Sequence, residues 1–246
     1  GSHLSWQNQF TGPLPADSRL VSYELRGHGA SDKPLDGARY TDPALWADDL
    51  DAVIRGKNLD RPILVGWSYG GYVMAHTMRK YADSRIGGLG FGGGVTKQGT
   101  PEPAGFLTDE VLALFGDVLS ADVQKSISGT RALTRMFTSP SLRGSDWEIS
   151  YGSAMMVPPE ARLAMFSRVL DNDDVLAGIR VPTLVIQGAS DRIVRMSAAK
   201  HIAGTIPGAR LLVYDGVGHA PHIESPLRFG SDLAQFIRTS RRNRTQ

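Results

Sequence analysis

Arg61-Pro62-Ile63-Leu64-Val65-Gly66-Trp67-Ser68-Tyr69-Gly70-Gly71 is the stretch that decides the fold class. Arg61 to Trp67 is nearly continuous in apolar character, as a strand buried on both faces is, and Tyr69 to Tyr81 takes up helical spacing at once. A strand that turns straight into a helix through Gly-x-Ser-x-Gly sets a serine on a tight, strained bend and lifts its hydroxyl above the sheet edge. A side chain at Gly66 or Gly70 is expected to strike neighbouring backbone. The same turn aims the Tyr69 N–H, beside the positive end of the following helix, at an oxyanion forming over Ser68.

Outward from this turn, four further runs read as buried strands: Arg19 to Leu25, Ile86 to Val95, Val181 to Gly188 and Ala209 to Tyr214. Helical spacing lies between them. Asp42-Pro43 opens one helix with a cap and a proline in the first turn, and its apolar face carries Leu45, Trp46, Leu50, Val53 and Ile54. Ser197 to Ile206 makes another. The last runs from Glu224 to Arg238, with Leu227, Phe229, Leu233, Phe236 and Ile237 on its apolar face. Strands alternating with helices imply an α/β class with a mostly parallel, doubly wound sheet. Residues 100–177 break the alternation. They hold helical patterns at Thr108 to Leu119, Gly129 to Phe137 and Glu160 to Leu170 and no convincing strand. Such an insertion is expected to cap the strand ends, where ligands of α/β sheets bind. The expected organisation is core over 1–99, cap over 100–177 and core again over 178–246.

Composition narrows the possibilities. A chain of 246 residues, 41% hydrophobic and 21% charged, suits one soluble domain. A formal charge of +2 is too small to argue for nucleic acid, and the basic run Arg238 to Arg244 reads as a solvated end. The absence of cysteine excludes disulfides, thiolate metal sites and a cysteine nucleophile. No apolar run approaches the roughly 20 residues of a membrane span, and no signal peptide is visible, so the expected location is cytoplasmic.

A serine hydroxyl attacks only if a base takes its proton. His219, in Gly216-Val217-Gly218-His219-Ala220-Pro221 just beyond the final strand, sits on a loop able to swing an imidazole towards Ser68. His222 precedes a helix and reads as structural. His76 lies about two turns down the Ser68 helix, His201 lies inside a surface-like helix, and His3 belongs to Gly1-Ser2-His3, which reads either as a cloning remnant or as native chain. The base needs a carboxylate to hold its tautomer. Asp191, in Gly188-Ala189-Ser190-Asp191-Arg192-Ile193-Val194, follows the penultimate strand. The loop after the Gly-rich strand offers no acid before Glu102.

Arg26-Gly27-His28-Gly29-Ala30-Ser31-Asp32, the Ser68 turn, the Asp191 loop and His219-Ala220-Pro221-His222-Ile223-Glu224-Ser225-Pro226 together resemble the α/β-hydrolase superfamily. The nearest members are its small esterases, cofactor-free haloperoxidase-like enzymes and C–C hydrolases. The chain order Ser, Asp, His is that of the fold. Glu24 departs from the Asp that often precedes the R-G-x-G turn, a segment the resemblance makes structural, which lowers His28 as a catalytic candidate. The resemblance also implies a hairpin and a strand before Gly1, with the second oxyanion donor on the loop that follows that strand. The strand would lie between Arg19–Leu25 and Arg61–Trp67, and without it the sheet would hold a gap of about 10 Å. Roughly 20–30 further N-terminal residues are therefore expected, a hairpin and one strand of ordinary length.

Other signals carry less. Gly88-Leu89-Gly90-Phe91-Gly92-Gly93 fits G-x-G-x-x-G, but it lies within a strand and leads to Thr100-Pro101-Glu102-Pro103 rather than a helix. His219 and His222 lack companion ligands, so no metal is expected, and no cofactor. Trp67, Trp147, Met155, Met156, Met165 and Phe166 are candidates for an apolar pocket or for packing within the cap. The expected partner is a small, moderately apolar substrate. The expected reaction is hydrolysis of an ester, lactone or similar acyl bond through an acyl-enzyme. The same three residues also suit peracid formation, C–C hydrolysis or a lyase or cyclase step, and the fold suits a ligand-binding receptor that kept them. Aspartate-nucleophile chemistry is disfavoured, because the turn carries serine.

Overall fold

The computed structural model describes residues 1–246 apart from Pro15, Asp17, 82–84, 101–104, Ser141 and 243–246. Glu102 and the end of the basic tail thus lie outside the described residues. After a 3-10 turn at His3–Trp6 come α1 (Gln7–Phe10), α2 (Ala38–Thr41) and α3 (Pro43–Gly56). The core then alternates: β1 (Ile63–Trp67), α4 (Gly70–Tyr81) and β2 (Gly88–Gly92). Five helices follow without a named strand among the described residues: α5 (Asp109–Val118), α6 (Val123–Arg135), α7 (Gly144–Met155), α8 (Pro159–Phe166) and α9 (Asp173–Gly178). The alternation resumes with β3 (Thr183–Gly188), α10 (Met196–Thr205), β4 (Arg210–Tyr214), α11 (Pro221–Glu224) and α12 (Pro226–Arg242).

Local chemistry sets several of these bounds. Asp42 accepts the Ala44 N–H at 2.8 Å and so caps α3, whose proline at the first position needs no hydrogen-bond partner. Thr108 and Asp122 cap α5 and α6 in the same way. The four strands are parallel in the order β1-β2-β3-β4. β3 is buried along its whole length and alternates between two cores. Val185 joins the larger one, with Trp46, Met74, Leu89 and Ile202, while Leu184 and Ile186 join Tyr214, Phe229, Leu233 and Ile237 under α12. Helices cover both faces, which is the doubly wound arrangement.

Two expectations fail here. Arg19 to Leu25 belongs to no strand and no helix. A strand needs a partner, and among the described residues no backbone group from Ser18 to Glu24 hydrogen-bonds another backbone group. β1 pairs with β2 alone and is an edge of the sheet. The segment 18–25 and the edge of β1 line one continuous cavity of about 770 Å³, which reaches on to Ser68. Leu227 also departs from its expected place: it is 72% exposed, while Phe229 and Leu233 carry the buried face of α12.

Candidate active site

The turn after β1 holds Ser68 at φ 53°, in the left-handed region that costs a non-glycine residue energy. Neighbouring backbone fixes it there. The Ser68 N–H donates to the Gly92 carbonyl at 3.0 Å, and its own carbonyl accepts from Gly71 and Val95 at 3.0 and 3.3 Å. Gly66 is required as expected, since a Cβ there would lie 2.8 Å from the Gly70 backbone. Gly70 is not, because a Cβ would meet nothing within 4 Å. The crowded neighbour is Gly71, whose Cβ would lie 2.4 Å from the Val95 carbonyl oxygen. α4 crosses that loop closely, and the second steric demand therefore falls one residue later than the motif suggests.

No hydrogen bond among the described residues engages the Tyr69 N–H. Its side chain is anchored instead. The phenol accepts from Arg168, and the ring packs against Trp46, Tyr72 and Phe166 at 5.1–5.8 Å. Burial pushes the Tyr69 phenol above its usual range despite that arginine.

At the far side of β2, the Asp191 and His219 loops are knit together. Ser190 donates to the Val217 carbonyl at 2.9 Å, and a Cβ on Gly188 would lie 2.0 Å from the Gly218 carbonyl oxygen. His219 Nδ1 lies 2.9 Å from Asp191 Oδ2, both side chains being buried. The other carboxylate oxygen accepts the Ile193 and Val194 N–H groups at 2.8 and 2.9 Å, and Gln187 Nε2 donates to Oδ2 at 2.8 Å. Burial alone would raise the Asp191 carboxyl, but the His219 imidazole and the two backbone N–H groups outweigh it and hold the pKa below its ordinary value. An ionised carboxylate only accepts, so Nδ1 carries a proton, and in the neutral imidazole it is Nε2 that keeps the lone pair.

Ser68 and His219 line the same cavity. The surroundings of the serine also meet the histidine: Trp67 Nε1 donates to the His219 carbonyl at 2.7 Å, and Gly93, next to the Gly92 that accepts the Ser68 N–H, leaves room for the ring, since a Cβ there would lie 3.0 Å from His219 Nδ1. No hydrogen bond among the described residues joins Ser68 Oγ to the imidazole. Contacts of this kind are often long in unliganded sites and close when substrate binds.

The remaining histidines sit elsewhere. His222 is buried, stacks on Trp6 at 4.4 Å and among the described residues has no hydrogen-bond partner at either ring nitrogen; burial pushes its pKa down to about 3. His76 is buried in α4, likewise unpartnered, and burial pushes it down to about 4. His28 lines the cavity with Nδ1 3.0 Å from the Arg26 carbonyl, and burial holds it near about 3. His201 contacts Asp173 at 2.7 Å, and His3 contacts Glu24 at 3.0 Å. Glu24, the departure in the R-G-x-G turn, also accepts the Ala30 N–H and so closes that turn.

Of the six pocket candidates, Trp67, Met165 and Phe166 line the cavity and Trp147, Met155 and Met156 do not. Trp147 turns towards α6, stacking on Tyr151 at 5.0 Å with the Arg135 guanidinium 5.2 Å from its ring, and Met156 is 52% exposed. The helical segment reaches the cavity instead through Val111, Phe115, Leu133, Phe137, Ala154 and Val157. Apolar spacing alone does not say which face of a short helix meets its own neighbours. Glu224, which the residue types did not single out, accepts the Gly218 N–H at 2.9 Å and the Ser139 N–H at 2.6 Å. No group of three or more His, Cys, Asp or Glu suited to a metal occurs among the described residues.

A parallel sheet with a strained serine after β1 and a carboxylate-bound histidine after its last strand defines the class as an α/β hydrolase. The family model for the alpha/beta hydrolase fold matches residues 1–226, and the chain belongs to that family. An esterase, RhEst1, from Rhodococcus sp. ECU1013 has the same fold, with a TM-score of 0.89 and 32% identity over 96% of this chain and 86% of that one. The AB hydrolase superfamily protein YisY of Bacillus subtilis is 28% identical over 89% of this chain and 81% of its own. A pimeloyl-[acyl-carrier protein] methyl ester esterase of Vibrio atlanticus is 27% identical over 94% of this chain and 88% of its own. No described helix is long and apolar enough to cross a membrane.

Proposed function

We propose that the protein hydrolyses an ester, lactone or similar acyl bond of a small, moderately apolar substrate through an acyl-enzyme on Ser68. His219 Nε2 takes the hydroxyl proton as Oγ attacks the acyl carbon, and Asp191 stabilises the imidazolium. The carbonyl oxygen, now negative, accepts the Tyr69 N–H at the start of α4. As the tetrahedral species collapses, His219 gives its proton to the leaving oxygen. A water then attacks the acyl-enzyme by the same route, and Ser68 recovers its proton. The helices of residues 100–177 act as a cap, and the substrate's apolar part lies against Trp67, Phe137, Met165 and Phe166.

The observation that carries this reading is the buried His219–Asp191 hydrogen bond, which leaves the imidazole able to accept a proton inside the cavity that Ser68 lines. The esterase activities named for RhEst1 and for the Vibrio relative support an ester as the bond cleaved. Steady-state hydrolysis of p-nitrophenyl acetate and butyrate tests it. Ser68→Ala should lower turnover by about 10³–10⁶-fold, the range seen when such a set of residues acts as a unit. Undiminished turnover by that variant removes the proposal.

A further inference from the structure

The carboxylate of Glu224 is a single acceptor shared by two loops from different parts of the chain. Its Oε1 and Oε2 lie 2.9 and 3.0 Å from the Gly218 N–H, immediately before His219. Oε2 also accepts the Ser139 N–H at 2.6 Å, from the turn that joins α6 to α7. No cation pairs with this carboxylate among the described residues, and the backbone N–H groups offset only part of its burial, which still holds its pKa above the ordinary value. The fit is close: a Cβ on Gly218 would lie 3.0 Å from the Ser139 nitrogen and 3.1 Å from Glu224 Oε1. On the other side of the same loop, the His219 carbonyl is held by Trp67 Nε1 at 2.7 Å, and the Trp67 ring meets Phe137 edge-on at 5.3 Å. The Val217–Gly218 peptide and the His219–Ala220 peptide are thus each pinned. Both pins lead to the turn at 137–139.

We propose that Glu224 is a positioning residue for His219, and that through Ser139 it makes the placement of the imidazole depend on the docking of the helical segment. This rests on the reading of His219 as the base. A carboxylate suits the task because both of its oxygens accept, whereas an amide of the same shape would turn its NH₂ group towards one of the two N–H donors. Losing one of them lets the loop carrying His219 drift, and a misplacement of about 1 Å in a reacting group costs about 100-fold in rate.

The test compares Glu224→Gln and Glu224→Asp with the unaltered protein in p-nitrophenyl acetate hydrolysis, thermal unfolding and the downfield proton NMR signal of the His219 Nδ1–H. In Glu224→Gln, kcat should fall by about 10- to 100-fold with KM changed less than about threefold, and the downfield signal should shift or broaden while the protein stays folded. Glu224→Asp keeps the charge on a shorter arm and should retain more activity than Glu224→Gln. Full kcat in folded Glu224→Gln overturns the proposal. So does a loss that only tracks the folded fraction, or one confined to KM. Should Glu224→Gln fail to fold, the same split read in folded Glu224→Asp decides, and an unchanged kcat there overturns it. Ser68→Ala, assayed alongside, separates the two readings. Retained turnover there defeats the hydrolase reading itself, while its loss with full activity in Glu224→Gln defeats only the role of Glu224.

Discussion

Asp191 concentrates the electrostatics of the site in one side chain. It is buried, yet it receives a hydrogen bond from Gln187, two from backbone N–H groups and one from His219. Asp191→Asn preserves the shape but lets the amide donate towards Nδ1, which favours the tautomer with its proton on Nε2. That form cannot take a proton from Ser68. Turnover should fall by about 10⁴-fold, with the native fold retained in circular dichroism. The carboxyl also links stability to pH. Its folded pKa lies below the unfolded value of 3.8, so its contribution is complete above that value and is lost as pH falls through the folded one. The role of Glu224, unlike its place in the motif, is not legible residue by residue, since its carboxylate is met by backbone N–H groups and one of them lies 85 positions away. Ser68, Asp191 and His219, by contrast, could be picked out because each follows a strand in a short glycine-bearing loop.

Among the elements, α4 and β1 invite separate tests. Gly71→Ala drives a methyl group into the Val95 carbonyl and should cost about 1–3 kcal/mol by urea unfolding, as overpacking does. Gly70→Ala has open space and lies at the start of the same helix, so its stability should stay within about 1 kcal/mol of the parent. Equal losses for the two would mean the turn is built differently. Among the described residues no strand flanks β1 on the side away from β2, so in a protein of these residues alone the amides on that side should exchange with deuterium much faster than those of β2 and β3, each flanked on both sides. Protection along β1 equal to that of β2 would contradict the edge assignment. Four of the five expected strands were readable because their apolar runs are long and end at Gly or at a tight turn. Arg19 to Leu25 has the right residues, but membership of a sheet is a property of two segments, and among the described residues no second one pairs with it. Trp147 and Met155 show the same limit in helices, for the face that meets a cavity is chosen by what the helix packs against.

The molecule as a whole holds three histidines that are poor acceptors of charge, His76 and His222 buried and His28 half-buried against the cavity. Burial lowers His28 to about 3, His76 to about 4 and His222 to about 3, against 6.5 when unfolded. Below 6.5 the unfolded chain binds protons that the folded one refuses, so stability is complete above that value and falls as pH drops towards 4 and 3. Urea midpoints should therefore decline from pH 7 to pH 5, before the carboxylates titrate, and His76→Leu should flatten the decline. A midpoint constant over that interval would contradict the burial of these rings as neutral groups. The same interior surrounds the proposed base, since the cavity that His219 lines reaches from the edge of β1 past Ser68 to the helical segment and is walled mostly by apolar side chains.

The central claim is that Ser68 is activated by the His219 imidazole. Intact-protein and peptide mass spectrometry after reaction with a fluorophosphonate measures this directly, because only an activated serine is phosphonylated quickly. One adduct per chain should form, mapped to Ser68, and its rate should fall at least about 100-fold in His219→Ala, the scale of general base catalysis. A folded protein that stays unlabelled, or labels as fast without His219, would contradict the account.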